Sequence, residues 1–85
     1  MEIIIYGKDG CVNCERARML CQIQSLAHQL LKLDADYSAE ALQARVGRPV
    51  RGLPQIFVRS GEDAHHVGGY DELRAYLRQS QAQAA

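Results

Sequence analysis

Neither sign of charge predominates in this chain. Ten Lys and Arg stand against ten Asp and Glu, a formal net charge of zero. Without a bulk field there is no long-range attraction to nucleic acid, an anionic membrane or an acidic polymer, so those partner classes are not expected and steering must be local. Long apolar runs are also missing, and no stretch approaches the roughly 20 residues of a membrane span. The opening Met1-Glu2-Ile3-Ile4-Ile5-Tyr6-Gly7 is too short for a signal-peptide core and has no basic leader, so a cytoplasmic protein is expected. There is no internal repeat and no linker. The 85 residues suffice for one modest core but not for a second lobe with its own cleft. Any catalysis must sit on the surface of a single unit.

Cysteine is scarce as well. Cys11, Cys14 and Cys21 do not make the even, dispersed framework of a secreted disulfide scaffold. In a reducing compartment the pair in Cys11-Val12-Asn13-Cys14 reads as catalytic or metal-binding. A structural zinc would need two further ligands from Cys21, His28, His65 and His66. In a continuous helix Cys14 and Cys21 stand about 10 Å apart along the axis, whereas two ligands of one zinc lie within about 4 Å. The same separation forbids a relaxed disulfide between them. Redox chemistry is therefore the stronger reading, no metal is expected, and Cys21 reads as a small buried core residue.

The apolar pattern predicts the order β-α-β-α-β-β-α. Glu2 to Tyr6 is a buried strand stopped by Gly7-Lys8-Asp9-Gly10. From Val12 the period becomes helical, with Cys14, Ala17, Leu20, Cys21 and Gln24 on one side. Leu30 to Leu33 is read as a short second strand. Ser38 caps a helix over Ala39 to Val46 that Gly47 ends. Gln55 to Arg59 and His65 to Val67 are strands joined by a turn over Ser60 to Asp63, and Gly68-Gly69 ends the second of them. Asp71 is expected to cap a last helix from Glu72 to about Gln79. The domain thus spans 1–79, and the tail 80–85 has nothing to bury and is expected to fray. A strand, crossover helix and parallel strand followed by a closing hairpin make an α/β sandwich.

The cysteine pair lies where a strand hands over to a helix. A thiol attacks a disulfide only as thiolate. Cys11 sits at the helix start, where unpaired N–H groups and the positive end of the dipole favour an anion, and Lys8 lies three residues upstream. Cys11 is therefore the expected nucleophile. Cys14, a turn further on and facing the core, is the expected resolving thiol.

Three blocks together resemble the small bacterial and viral glutaredoxins. They are Tyr6-Gly7-Lys8-Asp9-Gly10-Cys11-Val12-Asn13-Cys14-Glu15-Arg16-Ala17, then Gly47-Arg48-Pro49-Val50 with Leu53-Pro54-Gln55-Ile56-Phe57-Val58, then His66-Val67-Gly68-Gly69-Tyr70. The resemblance implies a thioredoxin-like fold, a central four-stranded mixed sheet flanked by three helices. It implies a glutathione-dependent thiol-disulfide oxidoreductase that reduces protein disulfides and glutathionyl mixed disulfides, with ribonucleotide reductase among the candidate partners, and that works as a monomer. Pro54 would be cis beside the cysteines, leaving Leu53 to pair its backbone with an incoming cysteinyl backbone. Gly69 would let glutathione approach closely, and Asp71 would hold its glutamyl end. Lys8 and Arg51 would take the glycyl carboxylate, while Asn13 and Tyr70 would border the bound peptide. Val12 and Asn13 stand where many members have Pro and Tyr, which removes an aromatic wall. Two alternatives follow from that departure: a carrier with a [2Fe-2S] cluster held between protomers by Cys11 and glutathione thiolates, or a redoxin reduced by thioredoxin reductase.

Overall fold

Three consecutive isoleucines buried on both faces mark a central strand, and β1 (Glu2–Gly7) is one. Side chains alternate across a strand, so Ile3 and Ile5 face one side of the sheet and Ile4 and Tyr6 the other. The structure, a computed structural model, describes the backbone of residues 1–84 and the side chains of residues 1–80. The remaining elements follow in the order α1 (Val12–Ile23), β2 (Ala27–Lys32), α2 (Ala39–Val46), β3 (Gln55–Ser60), β4 (Asp63–Gly68) and α3 (Tyr70–Ala84).

The sheet order is β2-β1-β3-β4, with β1 and β2 parallel and the other pairs antiparallel. One face carries α1 and α3, whose Ala17, Cys21, Leu73 and Leu77 close over Ile3, Ile5, Ile56 and Val58. Fully burying each such isoleucine contributes about 1.5–3 kcal/mol. The other face carries α2, where Leu42 meets Ile4 and Phe57. This is the thioredoxin-like arrangement of four strands and three helices that the family resemblance implied.

Several boundaries differ from expectation. β2 begins at Ala27 and ends at Lys32 because its register with β1, Glu2↔Ala27 to Gly7↔Lys32, sets its length, whereas its half-exposed edge hides the apolar signal. β4 runs longer than the expected His65 to Val67, and the hairpin turn contracts to Gly61 and Glu62. Its pairing shifts between Phe57↔His66 and Ile56↔Gly68, leaving Val67 as a bulge. α2 matches expectation: Ser38 Oγ accepts from the Ala41 N–H at 3.1 Å and Gly47 takes the left-handed conformation at its end. α3 continues to Ala84, past the expected stop at Gln79. The fraying expected of the tail falls partly on Ala85, which lies outside the described residues.

Candidate active site

A helix leaves its first N–H groups without partners, and Ser, Thr, Asp or Asn ordinarily satisfies one from the N-cap position. In α1 a sulfur does so. Cys11 is the N-cap, with extended backbone, and its Sγ accepts from the Cys14 N–H at 3.2 Å. Residue i+3 is where a capping side chain meets the helix, so C-x-x-C is the spacing that sets the second cysteine's amide under the first cysteine's sulfur. The two are joined as a disulfide with Cα atoms 5.2 Å apart, inside the usual range for such bridges. Once the bridge is reduced, the same N–H and the helix dipole stabilise a Cys11 thiolate.

The two sulfurs differ in access. Cys11 is half-buried, whereas Cys14 is fully buried. A β-carbon placed on Gly7 would lie 2.7 Å from Cys14 Sγ, so Gly7 is the wall behind the inner sulfur. Only Cys11 can meet an incoming disulfide. Cys21 is fully buried a further two turns into the helix, and burial pushes its thiol up to about 11, which leaves it protonated and inert.

The loop before β3 supplies the second wall. The Leu53–Pro54 peptide is cis, Pro54 is buried, and Leu53 O stands 3.8 Å from Cys11 Sγ. With the sulfur bridged there is no proton to share, so this is proximity alone. The turn Gly68-Gly69 closes the third side: a β-carbon on Gly69 would be 3.7 Å from Pro54 O. Gly68 needs its positive φ of 126°, a conformation that L side chains disfavour.

Among the residues expected at the site, Cys11, Cys14, Leu53, Pro54 and Gly69 therefore converge. Lys8 is exposed and makes no ion pair among the described residues, while its neighbour Asp9 pairs with Lys32 at 2.9 Å. Asn13 is exposed and accepts from Arg16 at 3.5 Å. Arg51 is exposed beside a cavity of about 220 Å³ that Leu53 also lines. Tyr70 packs on the α1/α3 core under the Arg74 guanidinium, 5.7 Å from its ring centre.

Asp71 is not the helix cap that was expected. Gly69 is: its C=O accepts the first helical bond from the Leu73 N–H at 3.0 Å, and Glu72 reaches back to accept from the Gly69 N–H at 2.7 Å. Asp71 lies exposed in the first turn. A carboxylate three residues beyond the cap is the reciprocal half of a capping box, and the Gly-x-x-Glu spacing carried that signal.

Three more contributors escaped the sequence reading. Gly7 shapes the pocket of Cys14. Met19 and Arg16 join Val12 and Cys11 in lining a shallow, largely apolar groove of about 400 Å³. Outside the site itself, Gln55, just after Pro54, donates to Gly52 O at 2.8 Å. His66 and His65, which the alternation rule set on opposite faces, do separate: His66 packs on Phe57 and His65 on Tyr76. Burial, and then the positive charge of Arg48, hold the His66 imidazole below its ordinary value. Among the described residues no three His, Cys, Asp or Glu side chains converge as a metal site would require, and no helix is long and apolar enough to cross a membrane.

A redox dithiol at a helix N-terminus, walled by a cis-proline loop on a four-stranded sheet, defines a thiol-disulfide oxidoreductase of thioredoxin-like fold. Residues 3–62 match the family model described as Glutaredoxin. Glutaredoxin 1 of Escherichia coli is 34% identical over 86 residues, covering 94% of this chain and 96% of its own length. Glutaredoxin 3 of the same organism is 38% identical over 72 residues, covering 84% and 80%. The structure of reduced Escherichia coli glutaredoxin is similar with a TM-score of 0.80 at 32% identity, covering 96% of this chain and 99% of that one. The chain belongs to the glutaredoxin family.

Proposed function

We propose that this protein is a glutathione-dependent dithiol reductase of protein disulfides and glutathionyl mixed disulfides. The observation that supports this most is the asymmetric sulfur pair, one sulfur capping a helix beside Leu53 and the other sealed behind it. The Cys11 thiolate attacks a substrate sulfur, the substrate S–S bond breaks, and its electron pair leaves as a substrate thiolate. Cys14 then gives up its proton and attacks Cys11 Sγ, which forms the internal bridge and frees the second substrate thiolate. One glutathione thiolate opens the bridge to a Cys11 mixed disulfide, and a second removes the first as glutathione disulfide.

Glutathione is a peptide with carboxylates at both ends, and a protein without net charge must recognise it in pieces. Leu53 offers backbone N–H and C=O to the cysteinyl unit. Lys8 and Arg51 suit the glycyl carboxylate, while Gly69 and the first turn of α3, with Asp71, suit the glutamyl end. Asn13 and Tyr70 border this path. Exposed Val12 and the apolar groove beside Cys11 favour protein disulfides as substrates, ribonucleotide reductase being one candidate, in the reducing cytoplasm.

The test is reduction of the mixed disulfide of glutathione and hydroxyethanethiol, coupled through glutathione reductase to NADPH oxidation. Turnover that requires glutathione is the expected result. Turnover with thioredoxin reductase and no glutathione would replace glutathione as the reductant, and a brown dimer after anaerobic purification would favour a cluster carrier.

A further inference from the structure

Three polar groups outside the cysteine site are linked in a chain that ends on its wall. His66 Nε2 lies 2.6 Å from Gln55 Oε1, and Gln55 Nε2 lies 2.8 Å from Gly52 O. The proton positions in this chain are determined. A carbonyl oxygen can only accept, so the Gln55 atom facing Gly52 must be the NH2 group. Gln55 then turns its oxygen to His66, and His66 must carry its proton on Nε2 to donate there. A second proton, added on ring protonation, would go to Nδ1 and leave this bond in place.

Sheet register builds the pairing. His66 stands opposite Phe57, and Gln55 lies two residues from Phe57 on the same face, so His66 and Gln55 are diagonal neighbours on the α2 side. The bulge at Val67 falls between His66 and Gly68, letting the strand turn into the Gly68-Gly69 side of the site. The far end of the chain matters because Gly52 has no side chain, and a β-carbon there would touch nothing within 4 Å. Gly52 thus has no side chain whose packing could hold its peptide.

We propose that His66 and Gln55 are positioning residues that fix the Gly52–Leu53 peptide, so that the Leu53 backbone meets the backbone of a cysteinyl substrate. This rests on the reading that peptide-bearing disulfides dock at Leu53. Neither residue touches the reacting sulfurs. Their effect is therefore confined to substrates that have amides to pair.

Two substrates separate the possibilities. Reduced protein reacts, with no glutathione present, with the symmetrical disulfide of acetyl-Ala-Cys-Ala-amide or with hydroxyethyl disulfide, which has no peptide backbone. His66→Phe keeps a ring against Phe57 but loses the donor, and Gln55→Met loses both links. Each variant is expected to react about fivefold more slowly with the peptide disulfide, the equivalent of one net hydrogen bond, and at the wild-type rate with hydroxyethyl disulfide. His66→Gln, whose amide NH2 reaches the place of Nε2, should restore the peptide rate. Unchanged peptide rates, or equal slowing with both substrates, overturn the positioning role. A wild type that does not favour the peptide over hydroxyethyl disulfide overturns docking at Leu53 itself, and the functional part of the proposal with it. Nitrogen NMR of His66 reads the chain independently: the Nε2–H tautomer is expected, and the Nδ1–H tautomer would break it whatever the kinetics.

Discussion

Cys11→Ser is expected to reduce turnover of every disulfide substrate to the uncatalysed background, while a variant of Cys14 keeps half of the chemistry. A serine hydroxyl at the N-cap still accepts from the residue 14 N–H, so α1 remains capped and the fold is retained. What disappears is the nucleophile, because a hydroxyl is not ionised at neutral pH and forms no sulfur–sulfur bond. Cys14→Ala leaves the cap sulfur and its access unchanged. Alanine is preferred to serine there, because a fully buried hydroxyl without a partner costs about 1–3 kcal/mol. The Cys14 variant should turn over glutathionyl mixed disulfides at a rate comparable to wild type, since a second glutathione can resolve the Cys11 adduct from solvent. With a protein disulfide it should stall as a covalent adduct, visible by mass spectrometry. Equal loss in both variants contradicts the division of labour between the sulfurs.

Gly7→Ala should destabilise the protein by about 1–3 kcal/mol, the usual cost of overpacking a filled core. The added methyl would stand 2.7 Å from Cys14 Sγ, 3.0 Å from Cys14 Cβ and 3.1 Å from Leu30 Cδ1, and the fully buried Cys14 cannot retreat cheaply. Nor can the backbone slide away. Gly7 O accepts from the Leu33 N–H at 2.9 Å and from the Tyr37 hydroxyl at 2.8 Å, which pins the strand end. For a domain of this size each kcal/mol lowers Tm by roughly 4–8 °C, so thermal unfolding reads the effect directly. The clash is local, which makes the double variant informative. Gly7→Ala with Cys14→Ala should lose less than the sum of the two single changes, because removing the sulfur relieves its share of the overlap. Strict additivity would show that Gly7 does not shape the Cys14 pocket.

The redox site was legible in the sequence because its logic is local. Strand, glycine loop and helix start are each coded by neighbouring residues, and the C-x-x-C spacing falls on the N-cap and the amide it serves. The α2 boundaries were legible for the same reason, with Ser38 and Gly47 marking both ends. Pairing between distant segments was harder to see. The start of β2 depends on hydrogen bonds to β1, which composition does not display in a half-exposed edge strand. The Gly7–Cys14 contact joins two elements across a loop, and its only trace was a glycine at a strand end. The cap of α3 was misplaced by two residues because Asp71 is a good capping type, whereas Gly69 O accepts from the Leu73 N–H and the Glu72 carboxylate accepts from the Gly69 N–H. The link from His66 through Gln55 to Gly52 spans a bulge that no sequence period announces.

Catalysis requires the fold to hold one sulfur as an anion and to keep the other neutral behind it. Ultraviolet titration of the thiolates in the reduced protein, with Cys14→Ala and Cys11→Ser assigning each step, tests this most directly. Cys11 is expected to ionise within the range of about 3.5–7.5 seen for helix-capping C-x-x-C thiols, with Cys14 still protonated at neutral pH. Ionisation of both near the free-thiol value of about 8.5 would mean that the helix end does not hold Cys11 as a thiolate.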